Sequence, residues 1–186
     1  MKKITLILLA TVLLAVFASA EETQIGETGL IIDIPEDLIA DEVTKEDLEE
    51  GLAAYYYNDA YTLGIYLYDA DGASIADAAE YYSSESEVLQ AGITRINGLD
   101  AAYYTYSEDY EGEDYSCVSY IFKAGSDFVE LSFVLHTADI AASNESINTL
   151  VGTISRLPKS EAEAKETEIR RIQIPDTGLY IGIPSD

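Results

Sequence analysis

The stretch that decides the fold is residues 93–104, which read Ile-Thr-Arg-Ile-Asn-Gly-Leu-Asp-Ala-Ala-Tyr-Tyr. Two runs rich in strand-forming residues flank Asn97 and Gly98, and this dipeptide is typical of the tight turn of a β-hairpin. Because a two-residue turn can join only antiparallel neighbours, the stretch predicts that strand 92–96 pairs with strand 101–107.

The same pattern extends in both directions along the chain. Residues 115–123 and 128–136 predict two more strands, separated from each other and from strand 101–107 by glycine-containing turns. Residues 53–57 and 61–68 predict an earlier hairpin. Strand 128–136 alternates most clearly, with four apolar residues on one face (Val129, Leu131, Phe133 and Leu135).

Three segments have the signatures of helices. Thr44 and Ser74 each precede an acidic residue by three positions, which is the pattern of an N-terminal capping box. The apolar stripe of the second helix is predicted to run from Ile75 to Leu89, and the last helix from Ser143 or Asn144 to residue 155. Helices set apart from a mainly antiparallel sheet define an α+β domain. One early and one late helix could cover both sheet faces.

A terminal repeat indicates a tandem organisation. Residues 173–186 align with residues 24–37 at an offset of 149, and nine of the 14 pairs are identical. A repeat marks one structural unit and its period. We therefore divide the chain into a signal peptide (1–20), one domain (21–158), a charged linker (159–171) and the opening strand of a truncated second repeat (172–186).

The first 20 residues are typical of a bacterial signal peptide. Lys2 and Lys3 precede the apolar run 4–17, and Ala18-Ser19-Ala20 has the small residues of a cleavage site. A membrane-spanning helix needs roughly 20 apolar residues, which this run does not reach. The sequence therefore predicts an extracytoplasmic protein, secreted or in the cell envelope, with no stable membrane insertion after cleavage.

Charge and cysteine content narrow the possible partners. The chain has 35 acidic and 10 basic residues and a net charge of −25. Such an excess repels nucleic-acid phosphates, so nucleic acid is excluded as a partner. Cys117 is the only cysteine, which excludes an intramolecular disulfide, and its alternating surroundings favour a buried structural thiol.

Three segments resemble the PsbP/Mog1-like superfamily, which includes exported bacterial proteins of the DcrB kind. They are residues 29–37, residues 93–104 and the closing strand and helix 128–157. The resemblance implies an α/β/α sandwich with an antiparallel sheet. It implies no catalytic residues, because members mostly bind or assist other proteins. The tyrosine content of this chain is higher than the family pattern leads one to expect.

Catalytic and metal chemistry have little support. His136 is the only histidine, and no Gly-x-Ser-x-Gly motif presents a nucleophile, so a hydrolase using His136 is an unfavoured alternative. We expect His136 to end a strand on a partly solvated face, near Glu130. No cofactor is predicted. Calcium is an alternative ligand, with two candidate sites. One is Asp69-Ala70-Asp71-Gly72, and the other is a group of five carboxylates near one hairpin tip (Glu108, Asp109, Glu111, Glu113 and Asp114). Calcium binding at either site would make this a calcium-stabilised structural domain of the cell envelope.

The 15 tyrosines are the most unusual feature of the composition, since tryptophan is absent and phenylalanine occurs four times. Adjacent tyrosines on a strand face opposite ways, so each cluster sends at least one ring away from any single core. Tyrosine is enriched at interfaces, but the rings could also be covered by helices with only the hydroxyls reaching the edge. Both interpretations stay open. The candidate partner-binding residues are Tyr66, Tyr68, Tyr104 and Tyr106.

The sequence therefore predicts an exported, non-enzymatic binding or scaffold domain from a tandem-repeat protein. Its partner is an unidentified protein or cell-wall component. Residues 172–186 carry a second possibility: because they copy the strand at 29–37, they could fill that strand's position in a neighbouring molecule and give head-to-tail self-association.

Overall fold

The computed structural model describes residues 21–110, 112–136, 140–157, 169–173 and 180–184, and for the last two segments the backbone alone. The predicted signal peptide and most of the predicted linker lie outside the described residues. The strands are β1 (Glu21–Gln24), β2 (Leu30–Ile34), β3 (Ile39–Asp41), β4 (Leu52–Tyr57), β5 (Tyr61–Asp69), β6 (Val88–Ile96), β7 (Leu99–Tyr110), β8 (Glu113–Ala124), β9 (Asp127–Leu135), β10 (Ser155–Arg156), β11 (Ile169–Gln173) and β12 (Tyr180–Pro184). The helices are α1 (Lys45–Glu49), α2 (Ile75–Ser84) and α3 (Ile140–Val151).

A seven-stranded sheet forms the centre of the domain, in the order β3-β4-β5-β9-β8-β7-β6. All of its neighbouring strands are antiparallel, which confirms the α+β class. The β6–β7 hairpin turns at Asn97 and Gly98, whose φ angles are 48° and 79°. Two successive positive φ angles suit the twist of a two-residue hairpin. The Asn97 side chain also donates a 3.0 Å hydrogen bond to the Ile154 carbonyl oxygen, which ties this turn to the segment after α3.

A second, three-stranded sheet has the order β1-β2-β10. β2 is the middle strand, and its apolar residues Leu30, Ile32 and Ile34 are almost fully buried. β10 pairs with β2 over only two residues. Strands β1, β3 and β10 were not predicted, because each is short and none has a run of alternating apolar residues long enough to be recognised.

The buried residues fall into two clusters. The larger one combines α3 and β2 with one side of the central sheet, and includes Ala101 and Phe122. The smaller one combines Ala78 and Ala79 of α2 with residues that include Ala102. Consecutive residues of a strand point to opposite faces, and Ala101 and Ala102 are in different clusters. The two clusters therefore lie on opposite faces of the central sheet.

Three predicted helix boundaries were wrong. α2 ends at Ser84, and Leu89 lies in β6 with 75% of its surface exposed, because this segment pairs with β7 instead of continuing the helix. α3 begins at Ile140, so Asn144 is inside the helix and does not cap it. It ends at Val151, since the chain must become extended for β10 to pair with β2.

The repeated segment forms a hairpin. β11 pairs with β12 in a two-stranded sheet, and Gln173 faces Tyr180 just as Gln24 faces Ile31 in the β1–β2 pair. The offset of 149 is the same on both strands, so the two hairpins share one register. β11 begins at Ile169, within the span predicted as linker. In the part of the chain described here, no helix has the length and apolar character needed to cross a membrane.

Candidate functional site

The four candidate tyrosines lie on one face of the central sheet. Tyr66 and Tyr68 are on β5, and Tyr104 and Tyr106 are on β7. Strands β9 and β8 separate them in the sheet order. Tyr66 pairs with Glu130 of β9. Tyr68 of β5 and Tyr104 of β7 both form hydrogen bonds to that residue. We call these four residues, together with Tyr82 of α2, the tyrosine face.

Glu130 is the anchor of the tyrosine face. Its side chain is 8% exposed, and its two carboxylate oxygens accept hydrogen bonds from two strands. Tyr104 donates to Oε1 at 2.6 Å, and Tyr68 donates to Oε2 at 3.0 Å. Hydrogen bonds to an ionised acceptor are shorter and stronger than neutral ones. The two tyrosines thus satisfy a buried carboxylate that would otherwise be costly to desolvate.

The rings on this face form a stack. Tyr82 lies parallel to Tyr104, with ring centroids 3.9 Å apart and ring planes 6° apart. Tyr106 lies on the β7 strand at a centroid distance of 5.7 Å from Tyr104. α2, which supplies Tyr82, begins with a complete capping box between Ser74 and Asp77, as predicted. The position of the stack therefore depends on where this helix starts.

Tyr66 lies over a glycine of its own strand. A Cβ atom added at Gly64 would be 2.7 Å from Cε2 of Tyr66, closer than van der Waals contact permits. The absence of a side chain at Gly64 therefore lets the Tyr66 ring lie flat along the sheet. This is a physical role for a glycine inside a strand, where it otherwise weakens the sheet.

The environment keeps the phenols neutral. Burial raises the pKa of Tyr104 well above its usual value, and the negative charge of Glu130 raises it further. The same two causes, in the same order, raise the pKa of Tyr68 and of Tyr66. The hydroxyls therefore remain hydrogen-bond donors throughout the neutral and mildly alkaline range.

The tyrosines of the tyrosine face are partly buried in the domain and partly exposed to solvent. Tyr68 is 37% exposed, whereas Tyr66, Tyr104 and Tyr106 are half-buried. Beside it lies a pocket of about 170 Å³ whose lining includes Tyr55, Thr62, Glu108, Tyr110, Tyr115 and Val134. The hydroxyls of Tyr68 and Tyr104 are engaged by Glu130, so the surface open to another molecule consists mainly of ring faces and edges.

His136 does not lie near Glu130, contrary to expectation. His136 follows Glu130 by six positions along a nearly extended chain, a span of about 20 Å. His136 instead meets the Tyr115 ring edge-on at 5.7 Å. It lines a pocket of about 230 Å³ together with Glu113, Asp114 and Ser116. Among the described residues, none forms an ion pair with His136 within 4.0 Å.

No group of three or more His, Cys, Asp or Glu side chains within the described residues is placed to hold a metal ion. Asp69 Oδ1 accepts a 2.8 Å hydrogen bond from the Asp71 backbone N–H, which is the geometry of a turn. Glu111 of the acidic hairpin lies outside the described residues, so the predicted five-carboxylate group is described only in part.

Cys117 is a buried free thiol, as its alternating surroundings indicated. Burial raises the pKa of its thiol group, and it lies opposite Tyr106 in the β7–β8 pair. Burial in turn raises the pKa of Tyr106, and Cys117 contributes to that rise. A protonated, buried thiol is a poor nucleophile, which suits a packing role.

Neither a protein-family model nor any curated protein matches the sequence. Solved structures do match. PsbP of the cyanobacterium Synechocystis (CyanoP) superposes with a TM-score of 0.56 at 12% identity, over 75% of this chain and 93% of that one. This chain has a PsbP-like fold.

Two further solved structures are similar to this chain, with TM-scores and sequence identities close to those of CyanoP. A protein of Bacteroides thetaiotaomicron matches with a TM-score of 0.56 at 18% identity, over 84% of this chain but only 54% of its own length. LpqN of Mycobacterium tuberculosis, described as involved in cell envelope biogenesis, matches with a TM-score of 0.50 at 12% identity, over 73% of this chain and 91% of that one. At these identities the likeness concerns the fold.

The four tyrosines of the sheet were predicted from the sequence, whereas the roles of Glu130 and Tyr82 were not. Glu130 is the only acidic residue between Phe128 and Leu135, in a strand that is otherwise mostly apolar. An isolated acid at such a position, in a chain rich in tyrosine, is a signal that could have located the centre of the site. Tyr82 lies within the apolar stripe that the sequence predicts for its helix, and that stripe does not indicate the stacking of Tyr82 on Tyr104.

Proposed function

We propose that this PsbP-like domain is a non-catalytic binding or scaffold domain that acts outside the cytoplasm. It belongs to a tandem-repeat protein and uses its tyrosine face to contact a partner protein or cell-wall component. The observation that carries the proposal is the joint placement of Tyr66, Tyr68, Tyr104 and Tyr106 on one partly exposed sheet face. Tyrosine supplies contact area and a polar tip at low conformational cost.

The geometry of the face supports contact more than catalysis. Each oxygen of its carboxylate already accepts a hydrogen bond, one from Tyr68 and one from Tyr104, and Glu130 is only 8% exposed, so the carboxylate is poorly accessible to an incoming substrate. The rings are held in place by stacking and by Gly64, and a rigid surface loses little entropy on binding. The proposal also includes a three-layer α/β/α arrangement, in which α2 and α3 cover the two sheet faces.

Two observations support the proposed location outside the cytoplasm. Residues 1–20 have the pattern of a signal peptide, and one structural neighbour, LpqN, is described as involved in cell envelope biogenesis. The strongly acidic composition favours partners that carry basic groups, because complementary charge accelerates encounter.

Affinity capture with matched variants tests the proposal. Purified protein is used to capture envelope components of the source organism, alongside a Tyr66→Ser/Tyr106→Ser variant of the tyrosine face. A Tyr103→Ser variant is the control, since Tyr103 points to the opposite face of the central sheet from its neighbour Tyr104. We expect a specific component to be lost with the first variant and kept with the control, while both retain cooperative thermal unfolding. Identical captured sets for all three proteins would contradict the proposal.

A hydrolase at the His136 pocket is the second candidate, because Glu113, Asp114 and Ser116 line that pocket with the histidine. Nucleophilic catalysis requires the nucleophile to be within hydrogen-bond reach of its base, and His136 forms no such bond in the described part of the chain. We expect the wild type and His136→Ala to hydrolyse a panel of ester substrates equally slowly. A rate that depends on His136 would favour the enzyme.

A further inference from the structure

We propose that the outer strands of the two hairpins, β1 and β11, join copies of this chain edge to edge. The inference goes beyond the proposed function and does not depend on the tyrosine face. It differs from the idea that residues 172–186 take the place of β2 in a neighbouring molecule. That place is already occupied by the chain's own Leu30, Ile32 and Ile34, each no more than 6% exposed.

Both outer strands have an open edge. β1 is the end strand of the β1-β2-β10 sheet, and β2 is its only partner among the described residues. β11 pairs with β12 alone in a two-stranded sheet, as far as the described residues show. An open edge presents unpaired backbone N–H and C=O groups that can bind another strand.

The identical residues of the two hairpins include residues that are buried, or that form hydrogen bonds in the turn, in the first copy. In the first copy, Ile25, Leu30, Ile32 and Ile34 are buried, and Thr28 accepts and donates hydrogen bonds within the turn. All five have identical counterparts at the offset of 149. The second hairpin therefore keeps the determinants of the hairpin structure.

The outer strands differ from each other in charge. Glu21 and Glu22 of β1 correspond in register to Arg170 and Arg171 of β11. This is a reversal of sign at two successive positions. Because the shared hairpin structure does not require it, we ascribe the reversal to recognition between the two edges. Opposite charges across a strand pair stabilise the pair, and like charges destabilise it.

The occupant of each edge is a second copy of this chain. Within one chain, the two hairpins form separate sheets, so pairing of their outer edges takes two molecules. The chain has four arginines, and two of them are side by side on β11. Because each pair occupies two successive positions, Arg170 and Arg171 can pair with Glu21 and Glu22 whether the two strands are parallel or antiparallel. Since the two edges are different surfaces contributed by different parts of the chain, the contact is heterologous, or head-to-tail.

Sedimentation of the exported, purified chain tests the proposal, with its N-terminus first identified by mass spectrometry. At low salt, the wild type should show a mass that rises with protein concentration and falls as salt is added. Arg170→Glu/Arg171→Glu should weaken self-association by about tenfold or more, and so should Glu21→Arg/Glu22→Arg. Combining all four changes should restore it.

A matched control separates this contact from a general effect of net charge. Lys159→Glu/Lys165→Glu changes the net charge as much as the double arginine change and lies just before β11. We expect this variant to associate like the wild type. A wild type that stays monomeric at every concentration would overturn the proposal, and so would failure of the fourfold variant to recover. Loss of association in Ile181→Asp/Ile183→Asp with no effect of the arginine changes would also overturn it, in favour of insertion into the β2 position.

Discussion

The hydroxyl of Tyr104 donates a 2.6 Å hydrogen bond to Oε1 of Glu130, a residue with only 8% of its surface exposed. The two residues are on β7 and β9, with β8 between them, so the bond spans a neighbouring strand. It connects the stack of aromatic rings to the charge at the middle of the sheet. Removing either partner therefore affects both the stability and the surface of the tyrosine face.

Tyr104→Phe should lower the free energy of unfolding by about 1–3 kcal/mol, because it leaves a buried carboxylate with one hydrogen bond fewer. Urea denaturation measures the change. Tyr103→Phe is the matched control, since its hydroxyl accepts only an exposed hydrogen bond from Gln90, and its effect should stay within about 0.5 kcal/mol. Equal losses in the two variants would show that the Glu130 bond contributes little.

Stability should fall as the pH rises above about 10. Burial and the Glu130 charge raise the pKa of Tyr104 in the folded state, whereas in the unfolded chain it titrates at about 10. Below pH 10 both states are protonated, so the contribution is fully present. Above it the unfolded state binds fewer protons, and the free energy of unfolding decreases by up to about 1.4 kcal/mol per pH unit for this group.

Denaturation between pH 8 and 11 checks this dependence. The slope above pH 10 should be smaller in Tyr104→Phe than in the wild type. It should not vanish, because burial also raises the pKa of other tyrosines, among them Tyr61 and Tyr120. A slope unchanged by the substitution would mean that Tyr104 does not retain its proton beyond the pH at which the unfolded chain loses it.

Gly64→Ala should displace the Tyr66 ring, because the added Cβ would lie 2.7 Å from Cε2. We expect a loss of about 1 kcal/mol, in the range for inserting one carbon into a packed site. In a Tyr66→Ala background the same change should be neutral or stabilising, since alanine costs less chain entropy than glycine. A double-mutant cycle measures this coupling. Additive effects would show that the ring does not lie on Gly64.

Calcium should leave the melting temperature unchanged. The described residues contain no group of three or more potential ligands, and a ligand stabilises only in proportion to its binding to the folded state. Thermal unfolding in about 5 mM calcium and in chelator should give the same midpoint. A rise that saturates with calcium would instead support the calcium-stabilised envelope domain.

Local signals predicted the order of most of the larger elements. Asn97 and Gly98 predicted a hairpin because few other residues accept positive φ angles at no cost. Ser74 with Asp77 predicted the start of α2 because a capping box is a contact between residues three positions apart. Where the elements end was less well predicted: Leu89 continued a helical stripe in the sequence, but pairing of β6 with β7 gave it an exposed strand position.

The sequence by itself determined the antiparallel hairpins, the caps of α1 and α2, the acidic charge and the presence of a repeat. Each of these depends on residues close in the chain or on composition alone. Tertiary structure alone decided that Tyr68 and Tyr104 meet at Glu130, that Tyr82 stacks above them, and that the repeat is a hairpin in conserved register. These depend on strand order and on which faces of distant elements come together. No local pattern encodes the partner of a side chain that is 26 or 62 residues away in the sequence.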